Sequence, residues 1–250
     1  MSKRKVAIIT GGGRGIGAAT AKLFAQQGYA VCINYKSNAK TAQALEREIQ
    51  ALGGSCMSLQ ADVSREEDVL RLFSTVDQQL GVVSVLVNNA GILKTQMRLA
   101  DMTAARINAI LVNNVTGYFL CCREAVKRMS KLHGGVGGVI VNVSSAAART
   151  GSPHEYIDYA ASKGAIDTLT KGLSLEVAAE GIRVNAVRPG LIATDMHADG
   201  GEPQRIERLK NKIPMQRGGD ADEVAQAIYW LASEQSSFTT GCFIDVAGGL

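Results

Sequence analysis

The chain has 250 residues, 46% of them hydrophobic, which is enough to bury a full core. Its net charge is only +4, and the basic residues are dispersed, which argues against a nucleic-acid partner. No apolar run is long enough to span a bilayer. Met1 to Val6 lead into a short apolar run ending at Thr10, so no secretory signal is expected. Cys32, Cys56, Cys121, Cys122 and Cys242 are scattered, with no CxxC pair and no histidines at ligand spacing. They are expected to be free thiols in a cytoplasmic protein without a metal.

Val6 to Thr10 is an apolar, β-branched run ending in glycines and is expected to form a buried strand. Ile16 to Gly28 has helical spacing, Ala30 to Tyr35 reads as the second strand, and Ala39 to Leu52 as a helix stopped by Gly53-Gly54. The alternation continues with a strand at Met57 to Gln60, a helix at Ser64 to Leu80 and a strand at Val82 to Val87. A long helix is predicted over Thr103 to Leu132, then a strand at Val139 to Val143, a helix at Tyr159 to Ala179 and a strand at Arg183 to Val187. A helix at Asp222 to Ala232 and a strand at Cys242 to Val246 close the chain. Strands that are apolar throughout are covered on both faces, so the fold class is α/β, a doubly wound parallel sheet in one domain, 1–250. Ligands of such sheets sit beyond the carboxyl ends of the strands.

Thr10-Gly11-Gly12-Gly13-Arg14-Gly15-Ile16-Gly17 lies between a predicted strand and helix, the setting of a glycine-rich phosphate loop. Gly11, Gly15, Ile16 and Gly17 are therefore candidate dinucleotide contacts, and the dinucleotide site falls mainly in 5–92. The second strand ends Asn34-Tyr35-Lys36-Ser37 without the acid that usually receives the ribose hydroxyls of NAD. Arg14 and Lys36, with Ser37, suit a 2′-phosphate, so NADP is expected over NAD.

Five motifs then occur in order: Thr10-Gly-x-x-x-Gly15-x-Gly17, Asn88-Asn89-Ala90-Gly91, Ser145, Tyr159-Ala-Ala-Ser-Lys163, and Pro189-Gly190-x-x-x-Thr194. Together they resemble the short-chain dehydrogenase/reductase pattern over most of the chain. The chemistry is intelligible from the residues: a free tyrosine has a pKa of about 10, and Lys163, one helical turn away, favours its phenolate. Tyr159 is the expected proton donor or acceptor. Ser144 and Ser145 point to opposite faces, and the resemblance selects Ser145 to polarise the substrate oxygen. The resemblance also implies that Asn114 holds a water for proton relay, with Asn113 its rival. It further implies that Lys163 binds the nicotinamide ribose, with Tyr35, Asp62, Val63, Asn89, Ala90, Gly91, Tyr159, Pro189, Gly190, Ile192 and Thr194 as cofactor contacts. Catalytic and substrate elements then lie mainly in 103–250.

Two segments depart from the pattern. Gly151 to Asp158 holds an extra residue, which brings Tyr156 near Tyr159, and Gly134 to Gly138 is expanded. Asp195 to Ile213, with a turn at Asp199-Gly200-Gly201 and a charged helical stretch from Glu202 to Lys212, reads as a mobile substrate cover, with Met196 and His197 facing the pocket. The family includes 3-oxoacyl-carrier-protein reductases and glucose dehydrogenase-like enzymes. Glu180 stands where such reductases commonly carry a base, which favours a sugar, polyol or small carbonyl/alcohol substrate over a 3-oxoacyl thioester. A non-catalytic dinucleotide sensor is the alternative of another class, disfavoured because Asn114, Ser145, Tyr159 and Lys163 are all present. The resemblance implies a homotetramer, paired through the helix at Tyr159 to Ala179.

Overall fold

The computed structural model describes residues 4–250, so the first three residues of the N-terminal run lie outside it. Seven strands form one parallel sheet: β1 (Val6–Ile9), β2 (Ala30–Tyr35), β3 (Ser55–Gln60), β4 (Val85–Asn88), β5 (Gly138–Val143), β6 (Ile182–Pro189) and β7 (Phe243–Val246). Their order is β3-β2-β1-β4-β5-β6-β7, with every pair parallel. The winding reverses between β1 and β4, so the loops that follow these two strands splay apart around a crevice.

Successive strand residues feed opposite cores. Ala7 and Ile9 face one layer with Phe24, Leu45 and Ile228, carried by α1 (Gly15–Gln26), α2 (Ala39–Ala51) and α10 (Ala221–Ala232). Val6 and Ile8 face the other, with Leu72, Phe73, Cys121 and Met129 from α3 (Glu66–Gln79) and α5 (Gly117–Met129). Phe24 is fully buried, with ring centroids 5.0 Å from Tyr29 and 5.5 Å from Tyr229. Truncating such a side chain to alanine costs about 3–5 kcal/mol.

Helix starts show a telling contrast. Asn38 caps α2 by accepting from Thr41 N, and Asp220 and Glu223 form a capping box on α10. Arg14, the cap position of α1, makes no side-chain bond to its helix. The first amides of α1 are left for another partner.

The predicted elements are present, with differences at their ends. The fourth strand begins at Val85 rather than Val82, because Ser84 already bonds across to Val6 from outside the ladder. The single long helix expected from Thr103 to Leu132 is α4 (Ala104–Leu111) and α5 joined by a wide π turn, Val112–Thr116. It ends at Met129, where the Ser130 hydroxyl accepts from Leu132 N and starts a separate short turn. The helix α7 (Ile157–Glu176) begins two residues before Tyr159 and stops ahead of a turn at Ala178–Glu180. Three short helices, α6 (Ala147–Thr150), α8 (Met196–Asp199) and α9 (Arg205–Leu209), are too brief to show a sequence period.

Candidate active site

The loop after β1 is fixed by the loop after β4. Thr10 Oγ1 accepts from the amides of Asn89 and Ala90 at 2.9 and 3.0 Å. The Asn89 carboxamide donates to the Thr10 and Gly11 carbonyls at 3.0 and 3.1 Å. Gly11 has φ +60°, and a Cβ there would lie 2.9 Å from Ala90 Cα, so the contact admits only glycine. Asn34, buried at the end of β2, donates to Ala61 O at 2.9 Å and accepts from Gly11 N. The crevice is therefore built by the chain itself.

A cleft of about 410 Å³ opens there. Gly11, Arg14, Gly15 and Ile16 line one side; Tyr35, Lys36, Ser37, Asp62 and Val63 line the next. Asn89, Ala90, Gly91, Thr194 and Met196 complete it. Other expected contacts stand outside. Gly17 lies behind the loop, where a Cβ would come within 2.5 Å of Gly11 O, and Gly190 packs on Ala247. Ile192 is buried in the core and borders a separate cavity of about 230 Å³ near Gly219 and Val246. Pro189, Tyr159 and Lys163 do not line the cleft either.

Arg14 and Lys36 do not point at each other. Arg14 pairs with Asp199, and more loosely with Asp195 at 4.0 Å. Lys36 pairs with Asp62 at 2.8 Å and donates to Asn113 Oδ1 at 3.1 Å. Burial would raise the Asp62 carboxyl, but bonds from Lys36 and Ser64 outweigh it and hold its pKa below the usual range.

At the end of β5 the two serines part. Ser144 is buried and donates to Asp167 Oδ1 at 2.6 Å, while Asp167 also binds Arg188 at 2.8 Å. Ser145 faces Tyr159 instead, and its hydroxyl accepts from Ala147 N at 3.1 Å. Burial pushes the Tyr159 phenol up to about 12, with the nearby Ser145 hydroxyl acting in the opposite sense. Lys163 lies 3% exposed, its Nζ 5.6 Å from the Tyr159 ring centroid, donating to Val143 O at 2.8 Å. Burial brings its pKa down to about 7, the nearby Asp167 resisting.

Asn114 sits in the π turn with its side chain wholly buried. Its carboxamide accepts from Ile92 N at 2.8 Å and donates to Ile92 O at 3.0 Å, clamping the loop after Gly91. Asn113 points to the cleft and Lys36, which separates the two rivals.

The segment after Thr194 is closed over this side. Tyr156 donates to Gly200 O at 3.2 Å, and the Arg205 guanidinium stacks 4.9 Å above the Tyr156 ring. Arg205 and Arg208 bind Glu155, and both also bind Glu202. Bonds from these two arginines bring the Glu202 carboxyl down to about 2. Met196 lines the cleft, but His197 does not: both ring nitrogens are buried without a hydrogen-bond partner. Burial and Arg205 lower the His197 pKa. Sequence reading missed Asn34, Arg106, Asp158 and Tyr118, whose roles depend on partners distant along the chain. Among the described residues, no group of three or more His, Cys, Asp or Glu is placed to hold a metal.

A family model described as enoyl-(acyl carrier protein) reductase matches residues 11–250. The chain is 62% identical over 244 residues to the "Uncharacterized oxidoreductase YgfF" of Escherichia coli (strain K12), covering 98% of this chain and 99% of that one. It is 36% identical to "Glucose 1-dehydrogenase 2" of Bacillus subtilis (strain 168), over 98% of this chain and 94% of the relative. A crystal structure of a dehydrogenase/reductase from Sinorhizobium meliloti 1021 superposes with a TM-score of 0.90 at 33% identity, covering 98% of this chain and 94% of that one. The chain belongs to the short-chain dehydrogenase/reductase family of oxidoreductases. Membership implies a nicotinamide dinucleotide cofactor. The cleft fits one: a glycine loop in which Gly11, Gly12 and Gly17 leave no room for a Cβ, a helix N-terminus without a side-chain cap for the pyrophosphate, and a volume of about 410 Å³.

Proposed function

We propose that this protein interconverts an alcohol and a carbonyl using NADP(H), with Tyr159 as the proton donor or acceptor. The carrying observation is that Ser145 and Lys163 both lie beside Tyr159, with Lys163 Nζ 5.6 Å from the Tyr159 ring centroid, near a cleft of about 410 Å³. The dinucleotide supplies or takes up the hydride. In reduction the Tyr159 hydroxyl gives its proton to the substrate oxygen as the carbonyl becomes an alcohol, and Lys163 as ammonium stabilises the phenolate left behind. Ser145 donates to the same oxygen and polarises it. Asn114 holds the loop at Ile92 in register with these groups.

The preference for NADP rests on Arg14, Lys36 and Ser37 all lining the cleft, with no acid at the end of β2. The dinucleotide is assigned mainly to 5–92, and catalysis and substrate mainly to 103–250. A sugar, polyol or small carbonyl is favoured, in keeping with the likeness to a glucose 1-dehydrogenase and with Glu180 at the end of the α7 region. All five cysteines are free and four are buried, which suits a cytoplasmic setting. Leu111 at the end of α4, Val112 in the π turn, Phe119 on α5 and Leu175 on α7 are exposed, which suits helix pairing in a homotetramer.

Nicotinamide fluorescence titrations with NADPH and NADH, followed by Tyr159→Phe on a panel of carbonyls and alcohols, test the reading. Tighter NADPH binding with turnover lost in the variant is expected. Tighter NADH binding would remove the phosphate role of Arg14 and Lys36. Dinucleotide binding without Tyr159-dependent turnover would favour a sensor.

A further inference from the structure

Tyr118 lies on α5, one turn beyond Asn114, and is 1% exposed. Its hydroxyl donates to Val143 O at 3.0 Å, the same carbonyl that takes Lys163 Nζ at 2.8 Å. Nζ in turn donates to the Tyr118 hydroxyl at 3.3 Å and lies 5.1 Å from that ring's centroid. A hydroxyl has one proton, and this one is committed to Val143, so Tyr118 presents only lone pairs to the lysine. An ammonium has three N–H groups; two are taken by Val143 O and the Tyr118 hydroxyl, and Nζ lies 5.6 Å from the Tyr159 ring centroid.

We propose that Tyr118 is a positioning residue for Lys163, accepting a hydrogen bond that fixes the amine beneath Tyr159 and favours its charged form. The proposal rests on the catalytic reading of Lys163 above. The oxygen is a stable acceptor because burial pushes the Tyr118 phenol well above its ordinary pKa and keeps it protonated. The titratable groups around Nζ are Tyr118 from α5 and Tyr159 and Asp167 from α7. The Asp167 charge is already taken up by Arg188 of β6 and by Ser144. Tyr118 is therefore the side-chain acceptor at hydrogen-bond distance from a lysine whose pKa burial has drawn down to about 7. Without it, the ammonium, 3% exposed, keeps one carbonyl as its hydrogen-bond acceptor.

The test is the titration of Lys163 followed by the ¹³Cε shift in lysine-labelled full-length protein, the signal assigned by its loss in Lys163→Met. Tyr118→Phe is expected to lower the Lys163 midpoint by roughly 0.5 to 1 pH unit, the worth of one hydrogen bond. An unchanged midpoint overturns the proposal even if the variant melts earlier, since a purely structural role moves stability alone. Should Tyr118→Phe not fold, the ¹³Cζ shift of Tyr118 in the unsubstituted protein decides. A step at the Lys163 midpoint that vanishes in Lys163→Met supports the contact, and a flat profile overturns it. Neither signal needs turnover. Failure of the catalytic reading would instead appear as Tyr159→Phe retaining activity.

Discussion

Arg106 of α4 and Asp158 at the start of α7 form an ion pair at 2.8 Å, with side chains 9% and 2% exposed. The same carboxylate accepts from Tyr159 N at 2.9 Å, and the guanidinium donates to Thr95 O at 2.7 Å. One pair thus ties the helix bearing Tyr159 to the loop after Ile92. Arg106→Leu strands a buried carboxylate and is expected to cost about 3–5 kcal/mol in urea unfolding. Adding Asp158→Asn should recover part of it. An unfolding midpoint unmoved by the single substitution would mean that water screens the pair.

The buried Lys163 makes stability depend on pH. Its pKa falls from the ordinary 10.5 in the unfolded chain to about 7 in the folded one. Between these values the unfolded chain binds more protons, so stability rises with pH from about 7 toward 10.5. Below that window the cost of burying the charge is present in full. Lys163→Met should therefore melt higher than the parent near pH 6, and the difference should shrink as the pH approaches 10. A difference independent of pH would locate the effect in packing rather than charge.

The paired serines should separate function from stability. Ser145→Ala is expected to reduce turnover by roughly 10²- to 10³-fold with little change in melting, as for loss of one donor to a developing oxyanion. Ser144→Ala should leave the chemistry largely intact but destabilise by about 1–3 kcal/mol, because Asp167 loses a buried donor. Equal losses of activity in both would contradict the division.

Asp199 holds the guanidinium assigned to the 2′-phosphate. Both side chains are about half exposed, so the contact is weak. Asp199→Asn should tighten NADPH binding by roughly two- to fivefold, leave NADH unchanged, and lose the gain as salt is raised. Equal effects on both dinucleotides would assign Arg14 to the closed segment alone.

The sheet and its crevice were legible because β1, β2, β4 and β5 are mostly buried and read as apolar runs, interrupted only by an asparagine at or near the end of β2, β4 and β5. The motifs then fell at the ends of those strands. What escaped has no local signature. Val112 to Thr116 consists of weak helix formers, but nothing in that composition marks a wide turn or its bond from Ile92 N to Asn114. Tyr118 reads as a core aromatic until the Val143 carbonyl is found beside its hydroxyl. Arg14 and Lys36 read as free cations, because Asp199 and Asp62 are brought to them only by the fold.

The π turn also acts as a gear between two helices. Side chains of α5 such as Tyr118, Cys121, Ala125 and Met129 are sunk in the core, whereas α4 buries only Ile110. One residue advances a helix by about 100°. Deleting one residue from the wide turn would therefore leave α5 seated and rotate α4, carrying Arg106 off Asp158 and releasing the start of α7. The phase of an outer helix, set by a single surplus residue, fixes the orientation of the tyrosine.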